Sequence, residues 1–175
     1  RVVQLSTNAH RGGAARAAYR LHQGLCGIGV ESTMLVRSKT CKDGSVIGPA
    51  SRAAKMWASL RARLDSLPLR LHPNRKSVPY SVQWTPSWIR EQLRDHRTSV
   101  VNLHWICSGY LSVASIARLN NPIVWTLHDM WAFTGGCHYD TGCGRYLNAC
   151  GACPVLQSAR EMDLSRWTWW RKRRA

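Results

Sequence analysis

The sequence predicts an α/β domain: an open, mostly parallel sheet with helices on both faces. Three observations carry this. Short apolar runs at residues 2–7 (VVQLST), 32–38 (STMLVRS), 99–106 (SVVNLHWI) and 122–129 (PIVWTLHD) have the length and continuity of buried strands. Between them lie stretches whose apolar residues recur at three and four positions, the helical period. The first strand, first helix and second strand also follow one another at the spacing of a parallel crossover.

Taken in order, the strand at residues 2–7 leads into the loop NAHRGG and then a helix over about residues 14–26. Ala14, Ala17, Ala18, Leu21 and Leu25 share its inner face, and Gly27 and Gly29 end it. After the second strand, residues 41–48 are polar and turn-rich. Residues 53–67 predict an amphipathic helix with Ala53, Trp57, Leu60, Leu64 and Leu67 on one face. Pro68, Pro73, Pro79 and Pro86 make residues 67–88 mostly loop, and a short helix follows at 87–96 with Ser87 as its cap. A helix near 112–119 ends at Asn120-Asn121-Pro122, before the last buried strand. The tail RWTWWRKRRA is basic and aromatic, and no closing element is expected there.

The chain of 175 residues, 45% hydrophobic, can build one core without cross-links. It opens at Arg1 with neither an initiator Met nor a secretory signal, so a short preceding piece is expected. Residues 98–117 carry no Asp, Glu, Lys or Arg, yet Asn102, His104, Gly109 and four serines argue against a membrane span. The expectation is a cytoplasmic protein with reduced thiols. Its net charge of +16, from 25 Lys and Arg against 9 Asp and Glu, favours an anionic partner: nucleic acid, acidic lipid or a phosphate-bearing ligand.

In such a sheet ligands bind beyond the carboxyl ends of the strands. Gly12 and Gly13 stand there, where a bare backbone and a helix N-terminus favour phosphate; a tight turn explains them equally well. His104 could orient a hydroxyl or phosphate, or be a hydrogen-bonded core histidine. His128 and Asp129 end the last strand and can address different parts of a polar ligand, or form a simple capped turn. No G-x-S-x-G hydrolase elbow occurs.

Cys137, Cys143, Cys150 and Cys153 lie in a Gly-rich loop at x5, x6 and x2 spacing. Four thiolates there can wrap a tetrahedral Zn²⁺, and His138 is a substitute ligand. Disulfides, free buried thiols and Cys150–Cys153 redox chemistry remain alternatives. The basic segment with Arg52, Lys55, Arg61, Arg63, Arg70, Arg75 and Lys76 interleaves with Trp57, Leu60, Leu64 and Leu67, a mixture suited to an anionic membrane surface. The alternative is a helix packed by its apolar face with a solvated basic side.

The blocks RVVQLSTNAHRGGAARAAYRLHQGL, LPLRLHPNR, VVNLHWI and PIVWTLHDMWAFTGGCHYDTGCGRYLNACGACP resemble the N-terminal half of bacterial family 4 glycosyltransferases, those of capsule, exopolysaccharide and colanic-acid-type clusters above all. The resemblance implies a GT-B architecture of two Rossmann-like domains, with residues 1–175 as the acceptor-side one. The donor-binding domain, with the family's E-x7-E pair, is absent from this sequence, so these residues alone are expected to be inactive. It implies a nucleotide-sugar donor, a glycan or polyprenyl-diphosphate-linked acceptor, retention at the anomeric carbon, no catalytic metal, and a peripheral place at the inner membrane face. Gly12 and Gly13 would lie against donor phosphate or acceptor, His128 against the transferred sugar with Asp129 beside it, and His104 in the acceptor-pocket wall. A nucleic-acid-binding zinc protein and a non-catalytic glycan-binding module are the rival readings.

Overall fold

In the computed structural model, which describes residues 1–87, 89–95 and 99–175, five strands form one sheet. These are β1 (Val2–Asn8), β2 (Ser32–Ser38), β3 (Val46–Ile47), β4 (Val100–Leu103) and β5 (Ile123–Trp125). Their order is β3-β2-β1-β4-β5, and every pair is parallel. The helices are α1 (Gly13–Gly27), α2 (Arg52–Ser66), α3 (Ile89–Asp95), α4 (Val113–Ala117) and α5 (Leu164–Arg174). This is a Rossmann-like α/β fold. The chain moves outward from β1 through β2 to β3, then returns to place β4 on the other side of β1. The order therefore reverses at β1/β4, where such sheets open a crevice at their carboxyl ends.

Alternation along the strands builds a core on each face. Met34 and Val36 point to one side, joining Ala9, Ala18 and Val46, with Tyr19 of α1 packed against them. Val3, Leu5, Leu35, Val101 and Leu103 point to the other, meeting Ile89 and Leu93 of α3, Val113 of α4, and Trp131. Leu5 and Leu103 are wholly buried; each contributes about 2 kcal/mol relative to exposure. A separate small core of Leu69, Val82, Cys137, Cys153, Val155 and Leu156 lies under the cysteine loop.

Four features differ from the sequence expectation. The tail does close with an element, α5: the Asp163 carboxylate caps it, accepting from the Ser165 amide at 2.9 Å and the Arg166 amide at 3.2 Å. The two-residue strand β3 lies in the segment read as turns. The last strand is an edge strand with Ile123 and Val124 exposed rather than a buried one. Finally, the apolar face of α2 is not its inner face: Arg61 and Asp65 are buried while Met56, Trp57, Leu60 and Leu67 are exposed. Residues 67–71 form a 3-10 turn within the expected loop. Trp88 and His96, at the ends of the helix expected at 87–96, and Thr98, which opens the uncharged stretch, lie outside the described residues. Among the described residues no helix is long and apolar enough to cross a membrane.

Candidate functional site

The carboxyl ends of the strands frame an open cleft of about 630 Å³. Ser6 and Asn8 of β1, the loop Arg11-Gly12-Gly13 and the first turn of α1 form one wall; Trp105, His128, Asp129 and Tyr139 form the other. Four of the sequence-predicted residues, Gly12, Gly13, His128 and Asp129, thus stand around one space.

The glycine wall is built for close approach. Gly12 caps α1 at φ 95°, a backbone that L side chains rarely adopt, and no side chain caps the helix. A Cβ at Gly13 would meet nothing within 4 Å. Packing therefore does not demand this second glycine; its lack of a side chain leaves the first amides of α1 open to the cleft. Unpaired amides, the helix dipole and the adjacent Arg11 guanidinium together favour an anionic oxygen.

On the opposite wall a buried histidine stands behind an accessible one. His104 is 3% exposed and does not line the cleft; it borders a small void behind it with His128 and Asp129, as the hydrogen-bonded core histidine of the two readings. Its Nε2 donates to the Gln4 Oε1 at 2.8 Å, and its Nδ1 lies 3.1 Å from the His128 Nε2. Burial, with a contribution from His128, pushes the His104 pKa down to about 4, so its ring is neutral near pH 7. With Nε2 carrying the proton, Nδ1 accepts, and His128 donates through Nε2–H. The His128 Nδ1 is then the nitrogen with a free lone pair. Burial also lowers the His128 pKa, against the pull of Asp129. A neutral imidazole of fixed tautomer suits hydrogen bonding to a sugar hydroxyl.

Asp129 is held by its neighbours. Oδ2 accepts from His138 Nδ1 at 2.6 Å and Trp105 Nε1 at 2.9 Å, and Oδ1 accepts from the Trp131 amide at 2.9 Å. Burial pushes this carboxyl up, but those hydrogen bonds outweigh it and leave its pKa below the ordinary carboxylate value. With both oxygens occupied, Asp129 orients the wall as a fixed anion. His138, considered as a substitute metal ligand, is engaged here and with Ser81 Oγ at 3.0 Å.

The sequence pattern missed Arg11, Trp105 and Tyr139. Tyr139 reaches the cleft because the chain doubles back after His128: the Met130 amide donates to the His138 carbonyl at 2.9 Å, and Tyr80 and Cys137 form an antiparallel bridge. Its exposed ring offers a face for sugar stacking. No local signal marks that return; Arg11, beside the glycines, was the legible one.

All seven cysteines are free. Cys137, Cys143, Cys150 and Cys153 line one small void, but among the described residues no three His, Cys, Asp or Glu groups form a metal-holding cluster. Burial pushes the Cys137 and Cys153 thiols up, and that of Cys150 to about 12, which argues against a redox nucleophile.

The site is an open cleft at the carboxyl ends of a parallel sheet, with a glycine-led helix facing a strand-end His-Asp pair. Residues 11–175 match the description Glycosyltransferase Family 4, and the chain belongs to that family. Over 76 residues it is 30% identical to the putative colanic acid biosynthesis glycosyl transferase WcaC of Escherichia coli (strain K12), covering 38% of this chain and 19% of that protein. The chain spans about a fifth of the length of this curated relative. No solved structure matches it.

Proposed function

We propose that these residues are the acceptor-side domain of a retaining glycosyltransferase of cell-surface polysaccharide synthesis. It moves a sugar from a nucleotide donor to a glycan or polyprenyl-diphosphate-linked acceptor. The observation that carries this is the cleft itself, with an anion-favouring helix terminus facing a neutral, tautomer-fixed His128. The amides of Gly13 and Ala14, with Arg11, steady phosphate oxygens. His128 holds a hydroxyl of the transferred sugar, and Asp129 fixes the loop that carries it. A second domain supplies the nucleotide contacts and the paired glutamates, so residues 1–175 alone transfer nothing. In the intact natural enzyme, supplied with a panel of nucleotide sugars and a membrane extract, His128→Ala should lower transfer by about a hundredfold or more with the fold unchanged. Turnover equal to the parent's would refute the assignment.

The outward face of α2 and the following 3-10 turn is assigned to docking on anionic lipid at the cytoplasmic membrane face. Met56 is 73% and Leu71 82% exposed. Lys55, Arg63, Arg70, Arg75 and Lys76 are exposed in the same stretch of chain, and the one acidic residue of residues 52–76, Asp65, is buried. Co-sedimentation should be strong with phosphatidylglycerol vesicles and weak with phosphatidylcholine alone; equal binding to both would discard the idea.

The cysteine loop is assigned a structural Zn²⁺ held by Cys137, Cys143, Cys150 and Cys153. Supporting it, the four thiols share one void, the Gly135 amide faces the Cys150 sulfur, and the Val155 and Leu156 amides face that of Cys153. Those amides oppose, without cancelling, the burial that raises the Cys150 and Cys153 pKa values, so a bound cation would have to favour the thiolate form. The Lys172 ammonium, enclosed near Cys137 and Cys150, would gain a counter-charge. Protein purified with reductant and without chelator should carry about one zinc per chain, lost in Cys153→Ser and kept in Cys26→Ser. A metal-free protein with seven titratable thiols would rule it out.

A further inference from the structure

The turn that follows His128 and Asp129 is gripped by a residue of the last helix. Residues 130–134 fold back on themselves: the Phe133 and Thr134 amides donate to the Met130 carbonyl at 3.0 and 3.2 Å. Trp131 and Thr134 are buried, and among the described residues no backbone amide reaches their carbonyls. Buried carbonyls need partners. Both find the same one. The Lys172 ammonium of α5 donates to the Thr134 carbonyl at 2.9 Å and to the Trp131 carbonyl. It also lies 3.6 Å from the centre of the Trp131 ring.

A cation is a demanding way to pair two carbonyls. Among the described residues no carboxylate lies within 4.0 Å of this ammonium, and burial pushes its pKa down to about 7. Two carbonyl dipoles and the face of an indole balance the charge instead. What the arrangement adds is rigidity at one place. Trp131 joins Lys172 to the cleft wall: its carbonyl accepts from the ammonium, and its amide donates to Asp129 Oδ1 at 2.9 Å. Its ring is fixed as well, Nε1 donating to the Ser81 carbonyl at 2.8 Å. Helix α5 is itself anchored, by the Asp163 cap and by Arg171, which donates to the Val82 and Gln83 carbonyls at 3.4 and 3.1 Å. A hold taken from a fixed helix is more exact than one taken from a loop.

We infer that Lys172 is a positioning residue for the cleft: it holds residues 129–134 so that His128 and Asp129 keep their place opposite Gly12 and Gly13. This rests on the sugar-transfer reading for its consequence, not for its geometry.

Ring-nitrogen NMR of isotope-labelled histidines in the intact natural enzyme reads that geometry without substrate. In the parent, His128 should show one tautomer, with Nε2 protonated toward His104. In Lys172→Met its two nitrogens should average toward each other, while those of His22, under α1, stay as in the parent. A general loosening of the fold would move both. In the transfer assay with the same nucleotide sugars and membrane extract, turnover should fall by about tenfold or more. Lys172→Arg keeps the charge on a planar fork of different reach and should lose less in both readouts. It also carries the test if Lys172→Met does not fold. Arg173→Gln, one residue on and exposed, should change turnover less than about twofold. His128 signals equal to the parent's in a folded Lys172 variant would overturn the inference, as would His22 signals that move as far. Parent turnover in that variant, where His128→Ala has lowered it, would overturn it too. If His128→Ala leaves turnover intact, the sugar-transfer reading fails by itself, and the NMR comparison still decides whether Lys172 places His128.

Discussion

Helices α1 and α2 are each fifteen residues long and each follows a strand of the same sheet, yet they face it in opposite ways. Helix α1 lays Ala15 and Ala18 on the sheet and buries one polar side chain, His22. The two nitrogens of His22 meet Ser32 Oγ and Ser45 Oγ, both at 2.8 Å. Helix α2 instead turns Arg61 and Asp65 inward and leaves Met56 and Leu60 exposed. The difference lies in what each covers. Beneath α1 the strands satisfy one another's amides and carbonyls, so small apolar residues fit. Beneath α2 lies the irregular backbone of residues 82–85 and 110, whose polar groups have no ladder. Buried backbone groups must be paired, so Arg61 donates to its carbonyls and Asp65 accepts from its amides. The inner face of a helix follows the needs of the surface below it, not its own hydrophobic stripe.

The largest test of this contrast is pH. Burial raises the folded-state pKa of Asp65 from 3.8 to about 6, with the Trp84, Gln83 and Val82 amides opposing. Between those values the folded chain holds a proton that the unfolded chain has released. Stability therefore falls as pH rises from about 4 to 6, by up to about 3 kcal/mol. His22 acts in the opposite sense: burial lowers its pKa below 6.5, so the unfolded chain protonates first and stability rises with pH up to about 6.5. Urea unfolding across pH 4–7 should show Asp65→Asn removing the downward contribution and His22→Gln reducing the upward one without abolishing it, since burial lowers the His104 and His128 pKa values too and they act in the same sense. A profile unchanged by Asp65→Asn would mean its carboxyl is not buried against those amides.

Packing gives the next effect. Ala18 is wholly buried between α1 and the sheet, and Ala18→Leu should cost about 1–3 kcal/mol by overpacking. The same change at exposed Ala53 of α2 should stay within about 0.5 kcal/mol. Chemical denaturation midpoints measure both; equal losses would erase the distinction between the two helices.

The sequence was legible where regular elements satisfy themselves. The run of β1, α1 and β2 follows from apolar periodicity, and Gly12, Gly13, His128 and Asp129 were found because strand ends are where open sheets bind ligands. Where backbone is satisfied by distant groups, local pattern fails. For His104 the sequence left two readings open, a strand-end ligand or a hydrogen-bonded core histidine, and the choice is made by Gln4 of the neighbouring strand, which no local pattern shows. Helix α5 has no apolar stripe; Asp163 starts it, and Arg171 stacks on Trp167 with its guanidinium 4.5 Å from the ring. The role of Arg61 depends on carbonyls up to 49 residues away, which no window of periodicity sees.

The smallest effect on stability should accompany the largest effect on location. Met56 and Leu71 contribute little to the fold because both stay in water when the chain folds. Met56→Glu with Leu71→Glu should therefore move the denaturation midpoint by no more than about 0.5 kcal/mol equivalent. The same pair removes apolar surface from the proposed lipid face and adds two negative charges to it. Retention on phosphatidylglycerol vesicles should fall by about tenfold or more. If the double variant instead unfolds early, these side chains are packed after all, and α2 differs from α1 only in its inner polar pair. If it stays folded and still binds vesicles, the outward apolar face has no part in docking, and the basic residues alone account for the attraction.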